Sequence, residues 1–217
     1  MSRRAAGTLL AAGMAALLAG CAHLPNPFPA QPDEGDWGRV RFQWSRHGEL
    51  YDRLDTRAFA NAVYLSTQAR RARAERISAW RALTPPEREA ELASEEREGE
   101  AYDEFILTFF TPDRAENDLD ENKSVWRIAL VLPDGQVLPD KVEEVRADPM
   151  VQALYPFIGT FDTVYRIRFV RFPGRPPIEN GPFTLRIAGP SGKFDLAWGP
   201  GGGQPGSNLT GGIYGAP

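Results

Sequence analysis

Few residues in this 217-residue chain combine type and spacing in a way that could do chemistry. Asp118, Asp120 and Asn122 alternate within the polar stretch "TPDRAENDLDENK", as the first oxygen ligands of a calcium loop would. Such a loop also needs glycine at its sixth position and glutamate at its twelfth, and here Lys123 and Ala129 stand there. The Asp118–Asn122 segment therefore reads as a solvated loop held by its own Asx turns. Asp103, Glu104 and Glu179 lie near the ends of apolar runs, where two carboxylates could act as acid and base on a glycan. Acids are common at such places. The two histidines are His23 and His47, and Ser-His-Asp chemistry would have to rely on His47. No G-x-S-x-G elbow, H-E-x-x-H helix or zinc ligand set occurs. The sequence leans away from an enzyme, implies no cofactor, and assigns no residue to catalysis or to a metal.

The single cysteine, Cys21, closes an apolar run that begins after Arg3 and Arg4. Ala5 to Gly20 carry no charge but are short and rich in Ala and Gly, whereas spanning a bilayer takes roughly 20 strongly apolar residues. A basic start, an apolar middle and small residues before a junction describe a secretory signal. Without that context Cys21 would be an odd thiol or an intermolecular disulfide partner. Leu18-Ala19-Gly20-Cys21 resembles the lipobox of bacterial lipoprotein precursors at all four positions. The resemblance implies a diacylglyceryl thioether on Cys21, cleavage before it, and acylation of the new amino terminus by a chain such as palmitate. One acyl chain holds a protein only marginally, and two or three hold it durably. Ala22 stands where an Asp would signal inner-membrane retention, so the resemblance points to the outer membrane and a body facing the periplasm.

The segments that follow divide the chain. Residues 1–20 read as signal peptide and 21–36 as a tether, extended by Pro25, Pro27, Pro29 and Pro32. Residues 37–199 read as one β-sandwich domain, and 200–217 as a Gly/Pro-rich tail with little to bury. With Arg3 and Arg4 removed, the formal charge of −4 becomes −6. Acidity and export together argue against a nucleic-acid partner, and one cysteine leaves the fold without internal disulfides.

Period-two runs dominate the domain. "RVRFQWS" (39–45) alternates Val40, Phe42 and Trp44 with polar residues and predicts a strand, followed by a turn at Gly48. Strands are also expected over 57–66, 104–111, 125–132, 162–172, 183–189 and 193–199, with tight turns at Pro133-Asp134-Gly135 and Pro190-Ser191-Gly192. Trp126, Tyr165, Phe183 and Trp198 lie on these strands as expected core residues. Between two strands, residues about 67–99 are rich in Ala, Arg and Glu and predict a helical hairpin. Its second helix opens on a capping box, Thr84-Pro85-Pro86-Glu87, and Gly99 is its expected stop. Asp148-Pro149 predicts a shorter helical turn. The fold expected is mainly β: an antiparallel immunoglobulin-like sandwich with an inserted helical hairpin.

The hairpin has a basic helix (Arg70, Arg71, Arg73, Arg76, Arg81) and an acidic one (Glu87, Glu89, Glu91, Glu95, Glu96, Glu98). These could present a cationic face to phosphates or an acidic partner, but opposite charges facing each other and water is the stronger expectation. The function expected is a lipid-anchored, non-catalytic binding or scaffold module with an envelope protein as partner. The alternative is a cell-wall or surface-polysaccharide hydrolase working through loop carboxylates.

Overall fold

Residues 35–172 and 174–203 are described by the computed structural model. The signal segment, Cys21, His23 and most of the tether lie outside the described residues, as do 204–217 of the tail. Among the described residues no helix is long and apolar enough to cross a membrane.

The first element corrects an expectation. Residues Gly35–Trp44 form a helix, α1, not the strand that the alternation of Val40, Phe42 and Trp44 predicts. Trp37, Val40 and Trp44 are buried, while Phe42 is 82% exposed. Positions three and four apart lie on one helix face, so Val40 and Trp44 fit both periods and Trp37 decides between them. Its Nε1 donates to Leu154 O at 3.0 Å, pinning α1 to a distant part of the chain. Strand β1 (Ser45–Asp52) follows and runs straight through the turn expected at Gly48.

Strand β2 (Asp55–Tyr64) leads into the helical hairpin, α2 (Thr67–Trp80) and α3 (Pro85–Ala101). Ser66 Oγ caps α2 by accepting from Ala69 N–H at 3.1 Å. At Thr84 the Glu87 carboxylate accepts from both the backbone N–H and the hydroxyl, at 2.8 and 2.6 Å, which starts α3. Gly99 does not end α3, which continues to Ala101 and passes directly into β3 (Tyr102–Phe110).

The remainder is β4 (Arg127–Leu132), β5 (Gly135–Val137), β6 (Lys141–Val145), a short helix α4 (Pro149–Leu154), β7 (Thr163–Val170), β8 (Phe183–Gly189) and β9 (Gly192–Trp198). Asp148 caps α4, as its Asp-Pro start predicts. Pro200–Gly202, assigned to the tail from sequence, is a 3-10 turn with Gly202 buried.

The protein is mainly β, built on two antiparallel sheets. One has the order β1-β2-β3-β7-β6 and the other β5-β4-β8-β9. Their inner faces share a core: Phe105 lies 5.6 Å from Trp198, and Phe109 lies 5.2 Å from Trp126, ring centre to ring centre. On β2 the inward face is Ala58, Ala60, Ala62 and Tyr64, all buried, so the small residues turn in and Phe59 and Asn61 turn out. At the β1–β9 edge the sheets close on Gly48, where an added Cβ would stand 2.8 Å from Phe194 Cδ1 and 2.9 Å from Leu196 Cδ2. Gly48→Ala should therefore cost about 1–3 kcal/mol of stability through overpacking, read as a lower urea midpoint. An unshifted midpoint would mean the two strands can separate freely there.

Candidate functional site

The acids that could have formed an acid–base pair come first. Asp103 and Glu104 are neighbours on β3 and therefore point to opposite faces of the sheet. Glu104 lies on the face covered by α2 and is 2% exposed. Arg70 on α2 donates to its Oε2 at 3.2 Å, and Arg166 and Arg168 on β7 approach at 3.5 and 3.6 Å. Burial pushes this carboxyl up, but Arg73, Arg70, Arg166 and Arg168 outweigh it and hold it below the ordinary carboxylate range. Glu104 is therefore a fixed anion, not a proton donor.

The same cluster joins the two helices to the sheet. Arg73 grips Glu95 of α3 with bonds of 2.7 and 2.8 Å and donates to Tyr155 Oη at 3.2 Å. Burial works against the Arg73 charge, and Tyr155, Glu95 and Glu104 more than offset it, keeping the guanidinium above its usual range. Arg70 passes so close to α3 that a Cβ on Gly99 would meet its Cδ at 3.0 Å, the reason for a glycine inside that helix. Opposite charges face one another across the hairpin, as expected, and Arg88 binds Glu75 at 2.6 and 2.7 Å on the outside. Arg70 and Arg73, however, are buried at 3% and 8% exposure, so they are not part of an outward cationic face. Sequence reasoning missed that role; the signal was a lone glutamate opening the apolar strand "EFILTFF" opposite arginines three apart.

Asp103 faces the other way. Its Oδ1 accepts from Tyr64 Oη and Arg171 Nε, both at 2.8 Å. Burial pushes the Tyr64 phenol well up, and the Asp103 charge adds to it. Glu179 binds the start of α2, accepting from Thr67 N–H and Thr67 Oγ1 at 2.9 Å each, where the helix end favours a negative charge. In the polar loop Asp118 Oδ1 accepts from Ser124 Oγ at 2.7 Å, and Asp120 and Asn122 are exposed. Among the described residues no group of three or more His, Cys, Asp or Glu side chains could hold a metal ion. Trp126, Tyr165, Phe183 and Trp198 are core residues, and burial pushes the Tyr165 phenol up to about 12.

What remains open lies elsewhere. Across the outer face of β1, β2 and β3, Glu49 pairs with Phe59 and Phe59 with Phe110, while His47 pairs with Asn61 and Asn61 with Thr108. The Phe59 ring stacks on Phe110 at 5.8 Å and Tyr51 meets it edge-on at 5.9 Å. Beside these rings runs a polar row in which Glu49 and Asn61 bond the two His47 nitrogens at 2.9 and 2.7 Å, and Asn61 Nδ2 donates to Thr108 Oγ1 at 3.1 Å. Of these residues the sequence reading singled out only His47.

A polar cleft of about 360 Å³ opens where α1, the start of α2 and the Pro200–Gly202 turn meet, with Trp44, Gln43, Gln68, Glu179 and Asn180 among its walls. A second, of about 380 Å³, lies over the hairpin between Arg70, Gly99 and Arg171. Comparison with protein-family models, with curated proteins and with solved structures finds no match to this chain.

Proposed function

We propose that this chain is an outer-membrane lipoprotein, anchored through Cys21 and facing the periplasm, whose immunoglobulin-like sandwich is a non-catalytic binding or scaffold module for an envelope protein. The anchor rests on Leu18-Ala19-Gly20-Cys21. The observation that carries the binding reading is the division of labour on the sheets. Asp103, Glu104 and Glu179 are bound into structural pairs, while Tyr51, Phe59, Phe110, His47 and Asn61 form an open aromatic and polar strip. Rings flanked by hydrogen-bonding groups are the composition of protein contact surfaces. A hydrolase would need a free acid and a free base converging on one cleft, and these three carboxylates are spoken for.

Wild-type protein should take up labelled palmitate and fractionate with outer-membrane vesicles, and Cys21→Ser should leave an unlabelled, uncleaved or soluble form. A photo-crosslinker in place of Phe110 or Tyr51 should trap a protein neighbour in cells more efficiently than one at Asp118. Unlabelled wild-type protein removes the anchor from this reading, and crosslinks that favour Asp118 remove the strip.

A further inference from the structure

We propose that the tip of the helical hairpin, where α2 ends and α3 begins, is a docking contact for an anionic phospholipid surface, an inference that goes beyond the binding-module reading and rests on its Cys21 anchor. Trp80 closes α2 and is 39% exposed, whereas Trp37, Trp44, Trp126 and Trp198 are buried. The Arg76 guanidinium lies 4.6 Å from the Trp80 ring centre. Arg81 beside it is exposed and makes no hydrogen bond or ion pair among the described residues. An indole flanked by cations suits a membrane–water interface, with the ring at headgroup depth and the charges on phosphates. The neighbouring carboxylates are taken, Glu75 by Arg88 and Glu87 by the Thr84 cap. The uncommitted charge at the tip is therefore positive, although the chain as a whole is acidic.

The tip is rigid before any lipid arrives. Leu83 N–H donates to Ser78 O at 3.0 Å and Ala82 N–H to Ala79 O at 3.2 Å, the two bonds of a Schellman close, with Ala82 left-handed at a φ of 48°. The capping box at Thr84 then starts α3. The tip also projects on the side where the anchor enters. Trp44, ending α1, walls a cleft with Ser66 and Gln68 at the start of α2. Trp37, near the beginning of α1, meets Tyr155, which Arg73 binds farther along α2. The two helices are therefore antiparallel, and Gly35, which the chain reaches from Cys21, lies toward the end at which the hairpin projects. From Arg73 the helix rises roughly 10 Å more to Trp80. The 14 residues from Ala22 to Gly35 span at most about 50 Å, enough for Cys21 to sit in the bilayer while the tip touches it. Glu89 and Glu91 stand farther back on α3, where their charge keeps the hairpin from lying flat on anionic lipid. The strip of Tyr51, Phe59 and Phe110 shares no residue with the tip and stays available to a protein partner.

The test uses the full-length lipidated protein in vesicles of phosphatidylethanolamine and phosphatidylglycerol, with and without bromine on the upper acyl carbons, recovered by flotation. Bromine quenches an indole only near contact, and the other tryptophans are buried. Brominated lipid should dim the tryptophan emission, and Trp80→Phe should abolish that difference with the melting temperature unchanged. Arg81→Gln, which leaves Trp80 in place, should cut the ratio of docked to free tip about fivefold, the worth of one basic residue at an anionic surface. Phosphatidylcholine in place of phosphatidylglycerol should also weaken the quenching. The proposal is overturned by floating protein with no bromine effect, by an effect that survives Trp80→Phe, or by one indifferent to Arg81→Gln and to phosphatidylglycerol. A photo-crosslinker in place of Trp80 that captures protein but no lipid in cells overturns it as well. Protein that does not float removes the Cys21 anchor and this inference with it, whereas every other result leaves the anchor standing, so the two fail separately.

Discussion

Glu104→Gln should lower the unfolding free energy by about 3–5 kcal/mol, the range for removing one partner from a buried ion pair. The substitution keeps the shape of the side chain and removes its charge, leaving Arg70 buried at 3% exposure without its β3 partner and Arg166 and Arg168 facing a neutral amide. Arg70 also contacts Glu95 at 3.4 Å, so the hairpin should loosen from the sheet before the sheets themselves separate. Hydrogen exchange should accelerate in α2 and α3 ahead of β3 and β7. A double variant, Glu104→Gln with Arg70→Gln, should cost less than the two single losses added together, because each removes the other's unpaired charge. Additive losses would mean that the two side chains do not act as a pair.

The same carboxyl sets a pH dependence. Its pKa in the folded protein is depressed below an unfolded value of about 4.3. Its contribution is therefore fully present above the unfolded value and is lost as pH falls through the folded one. Wild type should lose stability in acid over that window, and Glu104→Gln should show a shallower loss from a lower plateau. Parallel acid titrations of the two proteins would refute the assignment of this charge as a structural anion.

Which parts of this architecture were legible in the sequence follows from how local their causes are. β3, β4, β7, β8 and β9 each carry enough aromatic and β-branched residues to declare themselves, and the Thr84–Glu87 capping box marks the start of α3 within four residues. Helix α1 is hidden because Val40 and Trp44 satisfy period two as well as a helical face, and Trp37, which separates the two, stands at the first residue of the expected domain. β1 reads as a turn because its inward residues are Gly48 and Leu50, and the glycine is there to let β9 approach. β6 carries little strand signal because "KVEEV" is an edge strand with little to bury. The charge cluster was the least legible of all. Arg70 and Glu104 are separated by a whole helical hairpin, and a run of arginines on a helix reads as solvated surface unless the strand beneath it supplies an acid. The walls of the polar cleft come from three distant segments, around Trp44, Gln68 and Asn180, and no spacing rule joins them.

Trp198→Ala should cost about 3–5 kcal/mol, the range for truncating a buried tryptophan. Trp198 is 0% exposed and stacks on Phe183 at 5.1 Å with 14° between the rings. It also meets Phe105 of the opposite sheet at 5.6 Å, so its ring is one of the side chains through which the two sheets touch. Aromatic pairs of this kind add about 0.5–1.5 kcal/mol each beyond the area they bury. Its Nε1 donates to Trp44 O at 2.9 Å, and the Arg46 guanidinium lies 5.3 Å from its ring. Truncation therefore opens a cavity, ends two ring contacts and leaves the Trp44 carbonyl without its indole donor. Trp198→Phe separates these terms, since it keeps an aromatic ring and loses the N–H. It should recover most of the stability and retain a deficit on the order of 1 kcal/mol for the missing hydrogen bond. Urea unfolding of the two variants decides the matter: a deficit in Trp198→Phe as large as in Trp198→Ala would place the stabilisation in the hydrogen bond, and a negligible deficit in both would show that the sheets are held together elsewhere in the core.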